Sequence, residues 1–91
     1  MQKWGEGVMS KTGYHIKAIG KGVLGERSKI TEEYNEWQDS CEQGCKVMEL
    51  VELSDLLGAI ESYTKNHYNI SLEDLIKMKD ITQRAFINGR R

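Results

Sequence analysis

The sequence predicts an all-α protein: a bundle of about three helices in a single 91-residue domain, completed by self-association, with an irregular or extended N-terminal arm. Three observations predict it. Proline is absent, so nothing in the chain breaks a helix by removing a backbone donor. Apolar residues recur at spacings of three and four from about residue 26 onward, the period of a helix face. Six of the nine glycines (5, 7, 13, 20, 22 and 25) fall in the first 25 residues, which sets that segment apart as non-helical.

The elements follow in order. Residues 1–25 form the arm, with "YHIKAI" inside it as an extended stretch. A helical core spans 26–87. Its first helix, 26–43, carries Ile30, Tyr34 and Trp37 as an amphipathic stripe and stops at Gly44. The second, 46–66, has apolar residues at 47, 50, 51, 53, 56, 57 and 60. That covers more than half its circumference and marks it as the central helix. "HYNI" reads as a loop. Ser71 then opens the third helix, 71–87, with Asp74 three residues on as a shortened capping box. Three helices of this size cover an apolar central helix poorly, so two copies are expected to build one bundle. The arm would pack on the partner.

Composition narrows the function. Hydrophobic residues make up 38% and charged residues 30% of the chain, and no stretch approaches the ~20 apolar residues of a membrane span. No charged segment followed by an apolar one opens the chain as a secretory signal would, so the expected location is the cytoplasm. Cys41 and Cys45 lie four apart on one helix, too few for a zinc site and awkward for a disulfide. They read as reduced thiols. Charge is unevenly spread. Residues 1–31 hold six Lys/Arg and two Glu, residues 32–62 hold nine acids and one Lys, and residues 63–91 hold six Lys/Arg and three acids. An acidic middle between basic flanks suits cations at the centre of a site and an anionic ligand at its rim. It does not suit a nucleic-acid binder, which needs a broad basic face.

The acids are patterned. Glu33 and Glu36 share a face of the first helix, and Glu52 and Asp55 share a face of the second. The short "EQGCK" connection makes the two helices antiparallel neighbours, so the pairs can face each other. Lys29 can pair with Glu33, but Glu36, Glu52 and Asp55 have no Lys or Arg three or four positions away. Glu52 and Asp55 also sit inside the apolar run "LVELSDLLGAI". Four converging carboxylates stay ionised only with cations among them. Oxygen ligands select Mg²⁺, or Mn²⁺, and Mg²⁺ completes its shell with waters and substrate phosphates. A phosphate-containing substrate is therefore expected.

Glu32-Glu33-Tyr34-Asn35-Glu36 followed by Glu52-Leu53-Ser54-Asp55 resembles the E-E-x-x-E and E-x-x-D signature of MazG-like all-α nucleoside triphosphate pyrophosphohydrolases. "ELSDLLGAI" looks like that family's second metal-binding helix, and "GVLGERSKITEEYNEW" is similar to its small phage-type members. The resemblance covers roughly residues 22–87. It implies Mg²⁺-dependent cleavage of the α–β bond of (d)NTPs to monophosphate and pyrophosphate, by dimers or tetramers. Glu33, Glu36, Glu52 and Asp55 would be metal ligands. Glu32, with Glu33 and Glu36, would belong to the catalytic set, and Glu32 or Glu49 would support the ligands or help activate water. Lys77, Lys79 and Arg84 on the third helix, with Lys17 and Lys21 on the arm, are candidates for holding phosphates. Two alternatives stand beside this reading: a phosphoribosyl-ATP pyrophosphatase-like activity, and a helical interaction module without turnover.

Gly20-Lys21-Gly22-Val23-Leu24-Gly25 spells G-x-G-x-x-G, with Asp39 at the distance of a ribose-binding acid. That fingerprint needs a βαβ unit, and here helix follows helix. The glycines are expected to turn the arm into the first helix, with Lys17 and Lys21 able to close over a nucleotide. His15 reads as structural, with contact to a base or phosphate, alongside Tyr14, as the lesser option. Trp37 reads as core or interface, and Trp4 has no assigned role.

Overall fold

The computed structural model describes residues 15–87 and residue 89, without the side chains of residues 85 and 86. Trp4 and Tyr14 lie outside the described residues. Three helices follow one another: α1 (Arg27–Gln43), α2 (Lys46–Tyr68) and α3 (Leu72–Ile87). There is no strand among the described residues, and residues 15–23 run as irregular backbone ahead of α1.

Each helix end has a local cause. α1 stops at Gly44, whose φ of 73° is left-handed and whose N–H reaches back to the Cys41 carbonyl. α2 runs two residues further than its apolar pattern, through His67 and Tyr68. Asn69 ends it at φ 55°, and the Asn69 and Ile70 N–H groups bond the Lys65 and Thr64 carbonyls. This Schellman closure needs a residue that tolerates the left-handed region, and asparagine does. The loop is therefore shorter than "HYNI". Ser71 caps α3, its Oγ accepting the Asp74 N–H at 3.1 Å.

α1 and α2 pack as an antiparallel hairpin, the only extensively packed pair among the described helices. Its open end is tied by Asn66, whose Nδ2 donates to the Gly25 carbonyl, and by His67, 3.3 Å from Glu26. α3 stands largely apart. The radius of gyration is 15.7 Å, against about 11–12 Å for a compact domain of this length.

The burial pattern departs from expectation. Among the described residues the sole fully buried apolar one is Ala59, while Glu32, Glu33, Asp39 and Glu52 are buried. The Ile30–Tyr34–Trp37 stripe of α1 does not form the core. Tyr34 is exposed and stacks beside Trp37, ring centres 5.8 Å apart. The helix instead turns Glu32, Glu33, Asp39 and Ser40 inward. On α2, Val47, Leu50, Val51 and Leu57 face solvent. This helix is thus not central within one protomer.

Candidate metal centre

Helical spacing assembles the acids. Glu33 and Glu36 rise one turn apart on α1, and Glu52 and Asp55 one turn apart on α2. One oxygen from each of the four lies within 4.8 Å of all the others. Glu33 and Glu52 are buried, Glu36 is half-buried and Asp55 is exposed. The first three make the floor and Asp55 the mouth. At 4.8 Å two full charges repel by about 3 kcal/mol at an effective dielectric constant of about 20. The cluster answers this by holding protons. Burial, a hydrogen bond shared with Glu52 and the charges of Glu33, Glu52 and Glu32 push the Glu36 carboxyl up to about 8. Burial and the charges of Glu33 and Glu52 push Asp55 up as well.

Lys29 is the cation the helix itself supplies, with Nζ 3.1 Å from Glu33 and 3.2 Å from Glu32. Burial opposes its charge, but hydrogen bonds to both glutamates outweigh that and raise its pKa. The other Glu33 oxygen, Oε1, is buried and has no hydrogen-bond partner. A buried carboxylate oxygen in that state is costly, and its chemistry fits a cation ligand. The donor set of these four residues is all oxygen, which suits a hard divalent ion.

The predicted residues divide. Glu33, Glu36, Glu52 and Asp55 are brought together. Glu32 is spent on the arm: its Oε1 accepts the Gly22 N–H at 2.8 Å, and Lys21 lies 3.7 Å from Oε2. Burial opposes its ionisation, yet Gly22, Lys29 and Lys21 hold its carboxyl below the ordinary range. Lys17 is exposed and paired to Glu42 at 2.8 Å. Lys77, Lys79 and Arg84 are exposed on α3, with Lys79 paired to the neighbouring Asp80. Since α3 packs extensively on neither α1 nor α2, a single protomer does not gather these three around the acids.

Two residues exceed what sequence reasoning assigned them. His15 enters the acid cluster, its Nε2 3.5 Å from Glu52 and 3.6 Å from Glu36. Asp39 is fully buried and accepts the N–H groups of Ile16 and Lys17 and the side chain of Gln43. Burial works against its charge, but these bonds and the nearby His15 hold its pKa down. One signal for Asp39 existed: it lies three residues after Glu36, on the same helix face. His15 had none, being 21 and 37 positions away in sequence from the acids it meets.

The glycine fingerprint resolves into packing. A Cβ on Gly22 would collide with the backbone of Ser28 and Lys29, and Gly25 has a φ of 92°. Both glycines let the arm fold back over the start of α1. Cys41 and Cys45 are free thiols, and they do not share a helix: Cys41 is on α1 and Cys45 caps the start of α2, across the Gly44 break. No helix among the described residues is long and apolar enough to cross a membrane.

No protein-family model matches the chain, and neither a curated protein nor a solved structure shows significant similarity to it.

Proposed function

We propose that the chain is a Mg²⁺-dependent nucleotide pyrophosphohydrolase of MazG-like type, which cleaves the α–β bond of (d)NTPs. The carrying observation is the four-carboxylate cluster on facing helices, with oxygens within 4.8 Å of one another and Glu33 Oε1 buried without a hydrogen-bond partner. A charged core of this kind on a short helical hairpin is a cost to folding unless cations are bound to it. A divalent ion held there would neutralise phosphate oxygens and make a coordinated water easier to deprotonate.

The residues would divide the work as follows. Glu33, Glu36, Glu52 and Asp55 hold the ion, with Asp55 at the solvent side where a triphosphate enters. Lys29 balances the charge of Glu33. Glu32 positions the arm rather than the substrate, through Gly22. Lys17 and Lys21, both exposed on that arm, would serve the departing phosphates. A second copy covers Val47, Leu50, Val51 and Leu57 in this reading, because the described residues of one protomer bury little apolar surface. That partner would also bring its own α3 lysines within range.

Phosphorus NMR of the protein with Mg²⁺ and each NTP and dNTP tests the activity. Monophosphate plus pyrophosphate, lost in Glu52→Gln that still gives a helical circular-dichroism spectrum, is the expected result. Orthophosphate plus diphosphate, or no turnover of any nucleotide, would overturn it.

A further inference from the structure

We propose that His15 is a metal ligand: together with Glu36 and Glu52 it forms a nitrogen-bearing position that takes a first-row transition ion in preference to Mg²⁺ and pins the arm to the helices. The inference shares Glu36 and Glu52 with the carboxylate centre proposed above and rests on it to that extent. It needs neither nucleotide nor turnover.

The imidazole is placed for this role. Its side chain is 9% exposed, with Nε2 3.5 Å from Glu52 Oε2 and 3.6 Å from Glu36 Oε1. The three donor atoms lie within 4.8 Å of one another. Ligands at bond lengths of about 2.0–2.2 Å stand about 3.3–3.6 Å apart along the edges of a tetrahedron, so both measured separations match that edge. The opposite ring nitrogen, Nδ1, faces Asp39 Oδ2 at 3.8 Å. Asp39 is wholly buried. At 3.8 Å the separation is longer than a hydrogen bond, so Asp39 acts on the ring through its charge.

The backbone positions the ring. Asp39 accepts the N–H groups of the next two residues, Ile16 at 3.2 Å and Lys17 at 2.9 Å. Gly22 is held by Glu32 seven residues later in the chain. The segment between is therefore clamped at both ends onto α1. In the adjoining four-carboxylate group, Glu33 Oε1 is buried and lacks a hydrogen-bond partner. Glu36 and Glu52 belong to both groups. Imidazole nitrogen is a poor ligand for Mg²⁺ and a good one for borderline ions, which sets the ion class.

Two probes test it: Mn²⁺ by pulsed EPR and Co²⁺ by calorimetric titration, each on the full chain without nucleotide. Bound Mn²⁺ is expected to show coupling to a directly ligated ¹⁴N, absent in His15→Gln. His15→Gln, which removes a ligand itself, is expected to lose at least about tenfold in Co²⁺ affinity, the minimum that loss of a supporting partner costs, with Mg²⁺ affinity changed less than about threefold and the helical spectrum kept. Bound Mn²⁺ without nitrogen coupling, or wild-type Co²⁺ affinity in His15→Gln, overturns the proposal while leaving the carboxylate centre intact. Failure of the wild-type protein to bind either ion overturns it and removes the carboxylate centre with it. Normal pyrophosphate release accompanied by no nitrogen signal overturns only the role of His15.

Discussion

Glu36→Gln should stabilise the metal-free protein at neutral and alkaline pH. Glu36 ionises near 4.5 when unfolded, and the folded cluster pushes it to about 8 through burial, its shared hydrogen bond with Glu52 and neighbouring charges. Below pH 4.5 both states hold the proton and Glu36 is neutral to stability. As pH rises towards 8, the unfolded chain releases a proton that the folded one must keep, so stability is progressively lost. At pH 7 the interval from 4.5 corresponds to about 3 kcal/mol. Because Glu36 and Glu52 share that proton, replacing Glu36 alone recovers about 1–3 kcal/mol. Glutamine keeps the shape and an N–H donor towards Glu52. For a domain of this size the melting midpoint should rise by at least about 5 °C. Thermal melts followed by circular dichroism at pH 5, 7 and 8.5 in EDTA measure it. The wild-type midpoint should fall across that series and the Glu36→Gln midpoint should fall less. A variant no more stable than wild type at pH 8.5 refutes the reasoning, since the cluster would then store no repulsion. Excess Mg²⁺ should reverse the order by stabilising wild type alone.

Gly22→Ala should cost about 1–3 kcal/mol and loosen the arm, because the added Cβ meets the Ser28–Lys29 backbone. Limited trypsin digestion should then cut at Lys17 and Lys21 several-fold faster than in wild type, and unchanged cleavage would count against the docked arm. Leu50→Glu, on the exposed apolar face of α2, should leave a monomer in sedimentation velocity where wild type runs as a dimer or larger. A wild-type monomer at all concentrations would remove self-association from the account.

The number and limits of the helices were legible because their signals are local. Gly44 and Ser71 mark ends through their own backbone and side-chain chemistry, and the structure uses both. The four-acid set was legible because helical spacing and one short connection suffice to bring Glu33, Glu36, Glu52 and Asp55 together. α2 running on to Tyr68 was less so, since Asn69 adopts a left-handed turn that many loop asparagines do not. The buried side of α1 was misjudged for a physical reason. Periodicity assigns the apolar stripe to the core, whereas here acids are buried against α2 and the arm, and Tyr34 faces out. The place of His15 and the contact of Glu32 with the arm were hidden by range: irregular backbone has no period, so nothing in it says where residue 15 meets residue 52.

The inverted burial and the acid cluster have one common cause. A hairpin that spends its interior on Glu32, Glu33, Asp39 and Glu52 gives up the hydrophobic stabilisation those positions would bring, about 1.5–3 kcal/mol for each large apolar side chain. In the proposed reading two sources replace it. Cations among the carboxylates turn repulsion into attraction, and a covered face at Val47, Leu50, Val51 and Leu57 supplies the missing apolar burial. Both are binding events, so both add stability by mass action. In that case stability should depend on ion and on protein concentration together: dilution should lower the melting midpoint, and a divalent ion should restore part of the loss. A midpoint independent of both would mean that the hairpin is stable by itself, and the acid interior would then need another explanation.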